Sequence, residues 1–71
     1  MTLGELIRVK RIAAGLSLKE LARELKTPYR RTAPSVAERW EANDTEPAGR
    51  TLIAIMVLLG ISIEEVTNTE R

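Results

Sequence analysis

Leu18, Leu21, Ala22 and Leu25 fall at positions i, i+3, i+4 and i+7, directly behind a Ser17–Glu20 pair. That spacing lines four apolar side chains along one face of an α-helix, and a strand, with its period of two, cannot reproduce it. Ser17 followed three residues later by Glu20 is a capping box, in which each side chain accepts a hydrogen bond from the other residue's backbone N–H. Similar signals recur on both sides. Leu3, Leu6, Ile7 and Ala14 mark a stripe over residues 3–14, with Lys10 and Arg11 interleaved, and Gly15 stands where a helix end takes a left-handed residue. The second helix should end near Lys26, before a polar, basic connector over residues 26–31. Thr32-Ala33-Pro34 then opens a third helix, because proline suits the first turn. Ala37 and Trp40 supply its inward face, and residues 43–47 form a loop.

From Ala48 to Leu59 the apolar positions Leu52, Ile55, Met56 and Leu59 repeat the i, i+3, i+4, i+7 pattern, while Ile53, Val57 and Leu58 make the other flank apolar too. A helix apolar nearly all round must be covered on several sides. Gly60 ends it. Ser62 caps a last short helix that turns Ile63 and Val66 inward, and residues 67–71 are expected to fray. No segment alternates with period two and no repeat is visible. The expectation is an all-α fold of five short helices, one domain over residues 1–71 with its ordered core at 3–66.

Such a chain must build its core from aliphatic residues. It has 71 residues, 44% of them apolar, but Tyr29 and Trp40 are the only aromatics. A domain of this size buries only about 60% of its unfolded surface. Cysteine and histidine are both absent, which excludes disulfides, zinc and haem sites of the usual kind, and the commonest nucleophile–base pairs. No metal and no cofactor are expected, and no enzyme activity. Glu64 and Glu65 point to different sides of a helix and have no partner nucleophile. The longest apolar run, Leu52 to Leu59, is eight residues, against about 20 for a membrane span. No membrane association is expected, and Glu5 interrupts any signal-peptide pattern. A cytoplasmic location is expected.

Net charge is +1, yet it is unevenly placed: residues 1–39 carry nine Lys/Arg against four Glu, and residues 40–71 carry two Arg against six Asp/Glu. The asymmetry suggests a basic functional face and an acidic back.

The order of these pieces carries a resemblance. Lys10-Arg11-Ile12, Gly15-Leu16-Ser17, Glu20-Leu21-Ala22, Arg39-Trp40-Glu41, Pro47, Leu52 and residues 59–65 (Leu-Gly-Ile-Ser-Ile-Glu-Glu) resemble the Cro/Xre family of phage and bacterial repressors over residues 3–66. The resemblance implies a lambda-repressor-like DNA-binding domain with a helix-turn-helix. In that arrangement the second helix lies across the DNA backbone and the third enters the major groove, where base edges are distinguishable. Two departures stand out. The connector from Lys26 to Arg31 is six residues without Gly, longer than the usual three or four, so either helix 3 sits at an altered angle or the connector itself touches DNA. Leu18 stands where many members carry a Gln, and reads as a core residue.

Carried onto this chain, the family's reading positions are Ser35, Glu38 and Arg39, with Pro34 limited to an apolar contact. Arg39 suits the two acceptors of guanine. Lys26, Tyr29, Arg30, Arg31 and Asn43 are the candidates for backbone contact; Asn43 is alternatively a cap on helix 3. Arg11 and Glu41 match a buried ion pair of the family. Ile61, Ile63 and Val66 are the candidate dimer surface. The expected partners are double-stranded DNA and a second copy in a weak homodimer, and the expected function is a sequence-specific transcriptional regulator, a repressor on a palindromic operator. Two alternatives stay open: a protein-interaction module on the same fold, and the DNA-binding antitoxin of a toxin–antitoxin pair. Pro34 and the sparse donors on the groove face favour the first; the basic residues 26, 30, 31 and 39 favour DNA.

Overall fold

A computed structural model of the chain describes residues 1–25 and 32–70. Five helices appear in order: α1 (Leu3–Ala13), α2 (Leu18–Glu24), α3 (Pro34–Glu41), α4 (Gly49–Leu59) and α5 (Ile63–Thr67). Among the described residues there is no strand, only an isolated parallel bridge between Thr2 and Glu70.

Local chemistry accounts for most of the boundaries. α2 opens with the expected box and α5 with the expected Ser62 cap, which also forms a box: Glu20 N–H donates to Ser17 Oγ and Glu65 N–H to Ser62 Oγ, each at 3.1 Å. A third box opens α1, with Glu5 N–H on Thr2 Oγ1 at 3.2 Å. α3 and α4 start instead from Ala33 and Ala48, which offer no side-chain cap. At its end α1 passes through Gly15 at φ 74°, and the Gly15 and Leu16 N–H groups fold back on the Ile12 and Arg11 carbonyls. These are the two bonds of a Schellman motif. α2 ends two residues earlier than its polar boundary suggested: Leu25 has left the helix, with ψ at 83°, but stays buried.

The core gathers Leu6, Ile7, Leu21, Leu25, Ala37, Trp40, Ile55, Leu59 and Ile61, and Leu18 packs against it from the rim. Ile7, Leu21 and Ile55 are fully buried, one each from α1, α2 and α4. α1 is the hub, packed against α3, α4 and α5, while α2 packs on α3. Gly4 shows how closely α1 meets the end of α3. A Cβ there would collide with the Trp40 carbonyl oxygen, and would lie 2.7 Å from Asn43 Oδ1 and 2.8 Å from the Glu41 carbonyl oxygen.

Beyond Val66 the described chain returns to the N-terminus: Glu70 N–H donates to the Met1 carbonyl at 2.8 Å, and the Glu70 carboxylate lies 3.7 Å from the Met1 amino group. α5 is short enough to turn the chain back, and Lys10 Nζ holds it to α1 through Glu65 at 2.8 Å.

Candidate nucleic-acid interface

α3 has two chemically distinct faces. Ala37 and Trp40 point into the core. Ser35, Glu38 and Arg39 are exposed on the opposite side, and Ala42, one turn beyond Glu38 and two beyond Ser35, continues the row. The 3.6-residue period makes 35, 38, 39 and 42 neighbours on one surface. The structure thus brings the three sequence-predicted base readers together on one outward face. Val36 flanks the row at 38% exposed, and Pro34 occupies the first turn, which contains no acidic residue. With no acidic side chain and no cap, that helix start favours negative charge nearby. α2 also turns two cations outward, Lys19 and Arg23. Lys26, Tyr29, Arg30 and Arg31, the other candidates for backbone contact, lie outside the described residues.

Two connections hold α3 from behind. Arg11 Nε donates to Glu41 Oε2 at 2.6 Å and Nη2 to Oε1 at 3.1 Å, a bidentate pair, while Nη1 donates to the Leu16 carbonyl at 2.8 Å. The two side chains are 13% and 8% exposed. The guanidinium therefore meets a carboxylate and a backbone oxygen of the turn after α1 at once, which offsets much of the cost of removing it from water.

The second connection runs through Asn43. Its backbone is left-handed, φ 61°, a conformation that asparagine tolerates better than most residues. The Asn43 and Asp44 N–H groups reach the Trp40 and Arg39 carbonyls at 3.1 and 3.0 Å. Asn43 therefore ends α3 as glycine ends α1. Its side chain crosses to α1: Oδ1 accepts from Gly4 N–H and Nδ2 donates to Thr2 Oγ1, both at 3.0 Å. Of the two roles expected for Asn43, a cap on α3 and a phosphate contact, the described bonds show the first, with the amide also engaged by the start of α1.

The candidate dimer residues separate. Ile61 is 6% exposed and belongs to the intramolecular core, a correction to its placement on the surface, and Val66 is half-buried against that core. Gly60, at φ 69°, turns the chain so that Ile61 falls inward. Ile63, expected to turn inward on α5, instead faces out at 72% exposed, as do Ile53 at 61% and Val57 at 80%. These three, with Met56 and the edge of Ile61, line an open apolar groove of about 410 Å³. Ile53 and Val57 were legible as surplus apolar surface on α4, but which residues the core would cover was not. Gly4 and Thr2 carried no signal that set them apart.

Two carboxylates have pKa values held below the usual range. For Glu65 the main cause is the hydrogen bond from the Lys10 side chain, followed by the Ser62 backbone. For Glu20 it is the Ser17 backbone N–H, followed by the Ser17 hydroxyl.

A family model described as helix-turn-helix matches residues 7–66, from the middle of α1 into α5. No curated protein and no solved structure matches the chain.

Proposed function

The chain belongs to the helix-turn-helix family of the Cro/Xre type, a DNA-binding and generally non-enzymatic family, and from that premise we propose that it is a transcriptional repressor that binds a palindromic operator as a dimer. The observation that carries the reading is the outward row of α3, Ser35, Glu38 and Arg39, on a helix whose back is buried through Ala37 and Trp40. A helix docked this way presents its row to base edges in the major groove. Arg39 reads a guanine, Ser35 bonds a base or a phosphate, and Glu38 accepts from a cytosine. Lys26, Tyr29, Arg30 and Arg31 hold the phosphates; the support for this is the charge of the connector and its place between the two helices of the motif. The groove between α4 and α5 joins the two copies, through Ile53, Val57 and Ile63 rather than Ile61.

The deciding experiment is selection of bound sequences from a random duplex library. The expected result is an enriched palindrome with half-sites about 34 Å apart, one turn of DNA. Arg39→Ala then costs about 1–3 kcal/mol and relaxes one base pair of each half-site, whereas Arg30→Ala or Arg31→Ala weakens all sequences alike and lowers the salt slope by about one. Failure to enrich any sequence overturns the reading. The exposed groove favours a second one, a module that docks a protein, with the toxin of a toxin–antitoxin pair as one such partner. That reading takes over where no sequence is enriched, or where an enriched duplex lacks a palindrome and the protein stays monomeric on it.

A further inference from the structure

We infer that Asn43 is a positioning residue: it sets the angle at which α3 meets DNA by clamping the end of that helix to the start of α1. The inference rests on the proposed DNA reading of α3, and four observations carry it. Asn43 holds the left-handed position that terminates α3. Its amide bonds two groups at the start of α1, the hydroxyl of the capping Thr2 and the first-turn N–H of Gly4. Gly4 has no side chain where the Trp40 and Glu41 carbonyls press against it. Finally, the Arg11–Glu41 pair fastens the same end of α3 to the other end of α1.

The described polar connections of α3 therefore concentrate at its C-terminal end, beyond Arg39. The first turn, Pro34 to Val36, is exposed, and only Ala37 and Trp40 among the residues of α3 are buried. Such a helix behaves as a lever with its fulcrum at Asn43. From residue 35 to residue 42 is seven residues, about 10 Å at 1.5 Å per residue. A tilt of about 5° at the fulcrum then moves Ser35 by about 1 Å, twice the tolerance of about 0.5 Å within which a recognition group must be held. Contacts to phosphate tolerate that motion better than a contact to a base does, because only the base contact must meet a donor or acceptor at a fixed place in the groove.

The test uses two substitutions that both suit a left-handed backbone. Asn43→Gly keeps the turn but deletes both amide bonds. Asn43→Asp keeps an acceptor for Gly4 N–H and loses only the donor to Thr2. Affinity of the full chain is measured for the duplex selected from the random library and for an unrelated duplex of equal length. Amide hydrogen exchange at Gly4 and residual dipolar couplings of α1 and α3 are recorded on the free proteins. For Asn43→Gly the expected result is a ratio of selected to unrelated affinity about tenfold lower, the low end of what one bidentate base contact contributes. Affinity for the unrelated duplex stays level, Gly4 exchange is faster, and the angle between α1 and α3 changes while both stay helical. Asn43→Asp restores most of the ratio. An unchanged ratio in Asn43→Gly, with a wild-type chain that does discriminate, overturns the inference alone. A wild-type chain that discriminates no duplex overturns the DNA reading and the inference with it.

Discussion

Removing either partner of the Arg11–Glu41 pair strands a charge that is at most 13% exposed. Breaking such a pair from one side costs about 3–5 kcal/mol. A domain of 71 residues has a total stability of about 4–10 kcal/mol, at about 0.05–0.15 kcal/mol per residue. Arg11→Ala or Glu41→Ala is therefore expected to remove about a third or more of that stability at 25 °C, as read by the urea midpoint from far-UV circular dichroism. A loss below about 1 kcal/mol, the range of a surface pair, would contradict this. Gly4 supplies a second residue-scale test with the opposite intuition. Alanine ordinarily stabilises a helix interior relative to glycine by about 0.5–1 kcal/mol. Here the added methyl would meet the carbonyls of Trp40 and Glu41, and backbone oxygens cannot swing aside. Gly4→Ala is expected to destabilise by about 1–3 kcal/mol, as overpacking does; a stabilised variant would show that α1 and α3 separate freely.

At the scale of elements, α5 depends on its attachments. It has five residues, and an isolated helix shorter than about 12–15 residues is marginal in water. Its attachments are the Ser62–Glu65 box, the Lys10–Glu65 ion pair and the half-buried Val66. Two of the three run through the Glu65 carboxylate, which Lys10 and the Ser62 backbone hold below the usual pKa. A carboxylate with a lowered folded pKa contributes stability above its unfolded value, near 4.3. That contribution is lost as pH falls through the folded value. Melting temperature is thus expected to be level from pH 7 to about 5 and to fall below about 4.3. Glu65→Gln should remove part of that slope, because the group no longer titrates. Glu20, lowered by Ser17, adds to the same slope from α2. An identical acid profile in wild type and Glu65→Gln would mean that α5 is not held through this carboxylate.

For the molecule as a whole, the exposed groove of Ile53, Val57 and Ile63 decides between a lone domain and an assembly. Val57 and Ile63 are 80% and 72% exposed, so Val57→Asp with Ile63→Asp should leave the fold intact. The double variant is expected to sediment as a monomer at concentrations where the wild type is partly dimeric, and to occupy the two half-sites of a palindrome independently. A wild type that is strictly monomeric, with and without the operator duplex, removes the dimer. Such a result would leave the row on α3 untouched, because the groove and the row lie on different helices.

Helix existence, number and order follow from local rules: apolar residues at helical spacing, Ser17 and Ser62 with a glutamate three residues on, Gly15 and Gly60 at helix ends. These interactions span a few residues, so the chain states them directly. The outward placement of Ser35, Glu38 and Arg39 was legible for the same reason, once Ala37 and Trp40 marked the inward face. Long-range partners are different in kind. The Arg11–Glu41 match came from likeness to a family, while its bidentate geometry and its third bond to Leu16 exist only because α1 passes the end of α3. Asn43 was readable as a helix end or a phosphate ligand, but a side-chain amide carries no mark of which partner it will meet. Its use by Gly4 and Thr2 depends on two segments some forty residues apart arriving within 3.0 Å. In the same way α4 is apolar nearly all round, and periodicity could not say which flank would be covered. Packing against α1 buried Ile55 and Leu59, the turn at Gly60 buried Ile61, and Ile53 and Val57 were left facing out. Local sequence sets which elements form, because caps and spacing act within one turn; tertiary contact selects the buried face and the polar partner, because each depends on where a distant segment comes to rest.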